Sequence, residues 1–82
     1  MTAPTIAIRP AAPEEAAAVR RLGYLDSQRP LRGDVLLALE DTAPVAAISL
    51  TDGRVTADPF RHTAGVVTLL RMRAQSLGAL AA

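Results

Sequence analysis

The chain has 82 residues, half of them hydrophobic, and a formal net charge of +1. Seventeen of the hydrophobic residues are alanine and only Tyr24 and Phe60 are aromatic, so the core is thin at a size where burial per residue is already poor. The near-neutral charge supplies no field to draw the chain onto nucleic acid or an acidic membrane, and the absence of cysteine excludes disulfides and thiolate metal sites.

Thr5 to Arg9 alternates, with Ile6 and Ile8 on one face, which predicts a strand over 5–9 closed by Pro10. Pro13 suits a first helical turn and Glu14 and Glu15 complement its dipole, so a helix is expected over 13–25. Val19, Leu22 and Leu25 form its buried stripe, Arg20 and Arg21 begin its wet side, and Tyr24 reads as a core residue among them. Gly23 weakens the helix near its end. Asp26 to Asp34 is a polar connection that Pro30 and Gly33 keep from forming a long helix.

Val35 to Leu39 is apolar at every position, which a strand tolerates when both of its faces are covered. A strand over 35–40 is therefore expected, with helices on both sides of the sheet. Asp41-Thr42-Ala43-Pro44 turns the chain into a strand over 45–50, and Asp52-Gly53 turns it into another over 54–57. Val66, Leu69, Leu70 and Leu77 recur at helical spacing, so a closing helix is predicted over 63–77, with Thr63 near its N-cap and Gly78 as its stop. The alanine-rich tail beyond is expected to fray. The fold class is α+β, in the order β-α-β-β-β-α, with a four-stranded antiparallel sheet.

No basic segment followed by an apolar core opens the chain and no apolar run approaches a membrane span, so a cytoplasmic protein with no membrane or nucleic-acid partner is expected. One histidine, His62, without cysteine does not make up a metal site, and no metal is expected. All nine basic residues are arginine, which suits bidentate phosphate contacts and equally suits a GC-rich genome. Glu40 has two readings, a general base or a solvated hairpin flank. Arg61 has two as well, a phosphate contact or a surface arginine near a helix start. Arg71 and Arg73 read as a solvated helix face.

Phe60 to Arg71, F-R-H-T-A-G-V-V-T-L-L-R, follows a strand and opens a helix, the junction at which backbone amides and the helix dipole can hold an anion. This stretch resembles the acyl-CoA-binding motif R-x-x-G-x-G/A of the GNAT (GCN5-related) N-acetyltransferases. Arg61 falls on the arginine of that motif, and Leu69-Leu70-Arg71 fall on its usual leucine pair and basic residue. Ile6-Ala7-Ile8-Arg9-Pro10-Ala11 with Pro13-Glu14-Glu15 is similar to the family's opening strand and helix, and Leu36 to Leu50 to its second and third strands. The resemblance implies the N-terminal half of a GNAT-like domain over 1–82, with a reduced second helix and without the strands that admit the pantetheine arm.

Arg61, Ala64, Gly65 and Val66 are the cofactor-binding positions that the resemblance implies. The motif is degenerate there: Ala64 and Val66 occupy its small positions and Gly65 lies between them. Val66 is expected to crowd the turn with two methyl groups. No catalytic residue and no cofactor are therefore expected, and the edge strand over 54–57 is expected to pair with a second copy, giving a homodimer, or with a protein partner. The chain reads as a non-catalytic module acting through self-association or protein–protein interaction. The alternative is a minimal acetyl-CoA-dependent N-acetyltransferase whose groove a second subunit completes.

Overall fold

A computed structural model describes residues 3–78; the alanine-rich tail expected to fray lies outside them. The strands are β1 (Ile6–Pro10), β2 (Val35–Glu40), β3 (Ala43–Ser49) and β4 (Val55–Ala57), and the helices are α1 (Ala16–Leu25) and α2 (Ala64–Ser76). The four strands form one antiparallel sheet in the order β1-β2-β3-β4. The α+β class, the element order and the antiparallel sheet agree with the sequence reading. Element ends differ by up to three residues.

The helix expected from 13 opens as a 3-10 turn, Pro13–Glu15, before α1 begins. Glu15 holds this corner together. Its carboxylate accepts the Ala12 amide at 2.8 Å and two hydrogen bonds from the Arg9 guanidinium, one at 2.7 Å, tying the end of β1 to the start of α1. The turn between β2 and β3 needs only Asp41 and Thr42, at φ 49° and 72°, so Ala43 already pairs with Glu40 and β3 starts two residues early. Pro44 sits in this interior strand beside a register shift at Ala38/Leu39, which leaves Val45 as the extra residue of a bulge. Proline is tolerated there because a bulge releases the ladder from needing its missing N–H.

Alternation along β2 divides its side chains between the two helices. Leu36 and Ala38 join Val66, Leu70 and Ala74 of α2 in one buried cluster, with Val45, Ala46 and Ile48 of β3. Leu37 and Leu39 join Val19 and Leu22 of α1 in the other, with Ala47. Both faces of β2 are thus covered, as its unbroken apolar run required. The helix stripes differ from expectation. Tyr24 is 73% exposed rather than buried, while its neighbour Gly23 is buried and has no side chain, with Gln28 N–H bonded to Gly23 O at 2.8 Å. On α2, Ala74 takes the inward position, while Leu69, Met72 and Leu77 stay outside.

The polar connection after α1 is fastened across one end of the sheet. Ser49 Oγ donates to Arg32 O at 2.8 Å, Leu50 N–H donates to Asp34 O at 2.8 Å, and Arg54 Nη2 donates to Pro30 O at 2.8 Å. Gly33 is required there: at φ 69°, a Cβ would meet Thr51 Oγ1 at 2.2 Å.

The Glu15 corner has a pH signature. Hydrogen bonds from Arg9, and then from the Ala12 amide, lower the Glu15 pKa from 4.5 to about 2. The folded value is depressed, so this contribution to stability is complete above the unfolded carboxylate range and is lost as pH falls through about 2. We expect Glu15→Gln to lower the thermal midpoint at neutral pH, and the gap from wild type to close as pH falls from the unfolded value toward about 2; scanning calorimetry across that window checks it.

Candidate functional site at the start of α2

Strands β2 and β4 run in the same direction, so their C-terminal ends share the edge of the sheet from which the chain enters α2. A tight turn makes that entry. Asp58 Oδ1 accepts the Phe60 amide at 2.9 Å, and Arg61 N–H donates to Asp58 O at 3.2 Å. Thr63 is the N-cap residue as expected, but at φ −112° and ψ 1° it is not extended and its hydroxyl makes no capping bond. The first intrahelical bond is Val67 N–H to Thr63 O at 2.8 Å. The amides of Ala64, Gly65 and Val66 precede that bond and have no hydrogen-bond partner among the described residues.

The four positions singled out in the sequence are together in this turn, though in different roles. Arg61 is a loose ion-pair partner, with Nη1 3.8 Å from Glu40 Oε1 and Nε 3.8 Å from Asp58 Oδ2. The arginine and its two carboxylates sum to a formal charge of −1, so an arriving anion meets repulsion along with the open amides. Ala64 and Gly65 are exposed, and a Cβ on Gly65 would touch nothing within 4 Å. Val66 differs most from the expectation of crowding: it is 7% exposed and belongs to the α2 core cluster, so its methyl groups face the sheet.

Glu40 is half-buried and pairs loosely with Arg61, so it is not a free hairpin flank. No local signal links residues so far apart in the chain. His62 is exposed, and the described residues contain no group of three His, Cys, Asp or Glu that could hold a metal ion. Arg71 and Arg73 lie exposed on α2, as expected for a wet helix face. A cleft of about 680 Å³ lies at the opposite end of the sheet, between α1 and the loop at Pro30–Val35. Its lining is mostly alanine, proline and aliphatic side chains, with Arg20 and Asp34 as its charged members.

The second place of interest is the outer edge of β4. Arg54 and Asp58 spend their ladder groups on β3, through Ser49 N–H to Arg54 O at 2.8 Å and Asp58 N–H to Val45 O at 2.9 Å. Alternation then turns the backbone groups of Val55 and Ala57 outward. This edge is less bare than the sequence leads one to expect, because Asp26 Oδ2 accepts the Ala57 amide at 3.1 Å. Asp26 terminates α1, and nothing in the sequence marks it beyond its place in a polar connection. Phe60, 82% exposed, follows β4 three residues on, and Tyr24, 73% exposed, lies near the end of α1.

Comparison with known proteins finds no matching family model, no matching curated protein and no matching solved structure. No helix among the described residues is long and apolar enough to cross a membrane.

The burial of Val66 separates its structural role from any role in ligand binding. Val66→Gly should lower stability by about 2–4 kcal/mol in urea unfolding, combining a core cavity with the helix cost of glycine. Ala64→Gly, at an exposed first helical position, should cost less than about 1 kcal/mol and opens the turn without disturbing the core.

Proposed function

We propose that this chain is a non-catalytic, GNAT-like association module of the cytosol that pairs with a second copy of itself along β4. The outward backbone of Val55 and Ala57, open among the described residues except for the Ala57 amide held by Asp26, is the observation that carries this reading. An edge that presents unpaired donors and acceptors recruits another strand, and the joined sheet adds burial that a thin core otherwise lacks. Exposed Phe60, three residues beyond the edge strand, supports it, since large aromatic side chains are enriched at interfaces. The element order and the helices on opposite faces are compatible with the front half of an acyltransferase-like fold.

The alternative, a minimal acetyl-CoA-dependent N-acetyltransferase, draws on the three open amides at the start of α2. Against it stands the pairing of Arg61 with Glu40 and Asp58, which occupies the cation that a diphosphate would need. Acetyl transfer also requires positioning of an amine against the thioester and a donor for the developing oxyanion. The turn presents no arrangement of side chains for either task.

Sedimentation equilibrium of the full chain should reveal a dimer in the micromolar range. Ala57→Pro removes an outward amide that β3 does not use, so it should leave the circular dichroism spectrum close to wild type and yield monomer. A wild-type monomer under these conditions would overturn the proposal. Calorimetric titration with acetyl-CoA should show no heat for wild type or for Ala64→Gly; micromolar binding would favour the transferase reading instead.

A further inference from the structure

We infer that the second copy enters antiparallel about a two-fold axis at Thr56, setting Arg54 of each chain opposite the partner's Asp58, and that Asp26 competes with it for the edge. The inference rests on the self-association reading and fixes its register.

The ladder limits the choices. Only Val55 and Ala57 turn their backbone groups outward, and an antiparallel neighbour exchanges its close pairs of hydrogen bonds through such residues. Opposing Val55 to the partner's Ala57 uses both residues in both copies, and that register is centred on Thr56. Residues two apart across the axis then follow: Arg54 lies opposite the partner's Asp58, twice by symmetry. A register centred on Val55 instead places Arg54 opposite the partner's Thr56 and forms no ion pair.

Charge agrees with a second copy as the occupant. The net charge of +1 gives little repulsion between chains, and an edge bounded by Arg54 at one end and Asp58 at the other is complementary to itself when inverted. In the single chain Arg54 reaches Pro30 O and Asp52, and Asp58 reaches the Phe60 amide and Arg61, so both side chains exchange these contacts for the partner's. Asp26 opposes the pairing. Its Oδ2 holds the Ala57 amide at 3.1 Å, the donor that the carbonyl of the partner's Val55 would take, and also accepts Gln28 Nε2 at 3.0 Å. The carboxylate therefore caps the edge in the single chain and must be displaced as the strands join.

Three variants, followed by sedimentation equilibrium of the full chain, test this. Asp26→Ala removes the competitor and should tighten the dimer about tenfold, the effect of a hydrogen bond to a charged group. Arg54→Asp and Asp58→Arg should each weaken self-association by about threefold to tenfold through like charges set opposite one another. An equimolar mixture of those two variants should restore pairing, because one chain then carries acidic groups at both ends of its β4 edge and the other carries basic groups at both ends.

If wild type pairs but the mixture pairs no better than either variant alone, the register is overturned while self-association stands. If Asp26→Ala leaves a pairing wild type unchanged or weaker, the competition is overturned. If wild type remains monomeric throughout the micromolar range, the association reading falls and the register with it.

Discussion

Because Leu36 and Ala38 leave β2 on one side and Leu37 and Leu39 on the other, each face of this strand needs its own apolar cover, and that need places α1 and α2 on opposite sides of the sheet. A strand buried on both faces cannot be satisfied by one helix. Its neighbour β3 repeats the arrangement, with Val45, Ala46 and Ile48 in the α2 cluster and Ala47 in the α1 cluster. The bulge at Val45 adds one further side chain to the α2 side. What holds the molecule together is thus a narrow strip at its centre, and its outer strands contribute less.

The outer strands are managed differently. On β1, Arg9 and Glu15 bind the strand end to the first helical turn, and Thr5 and Asp41 exchange hydrogen bonds that pin the strand's start to the β2–β3 turn. At β4 the strand is only three residues long, and its fastening is the polar one through Asp26 and Arg54. Short length and charged flanks are common ways of blunting an edge. In the proposed pairing the same charges, read under inversion of the strand, would face their opposites on a second copy.

The start of α2 has the outline of an anion-binding turn, with its nearby cation engaged by carboxylates. The strand, turn and helix follow one another, and the first amides of the helix are open. Yet the arginine that would meet an anion lies between two carboxylates, and the valine in the glycine-like position faces the sheet. Neither feature arises from crowding of the turn by methyl groups. The cation is engaged, and the side chain is needed by the core.

Periodicity and turn chemistry in the sequence determined the element order, the two-sided burial of β2 and the placement of the hairpin turns, because these depend on neighbouring residues alone. The destinations of Tyr24, Leu69 and Val66 were not legible, since a helix has more apolar positions than one face can bury and only the opposing sheet selects among them. The Arg61 to Glu40 contact and the hold of Asp26 on Ala57 were equally hidden. Each joins residues from distant parts of the chain that meet only when the strands have paired and a loop has closed over their end. Tertiary structure decided them because side-chain charge finds its partner through space, while propensity and pattern act along the chain.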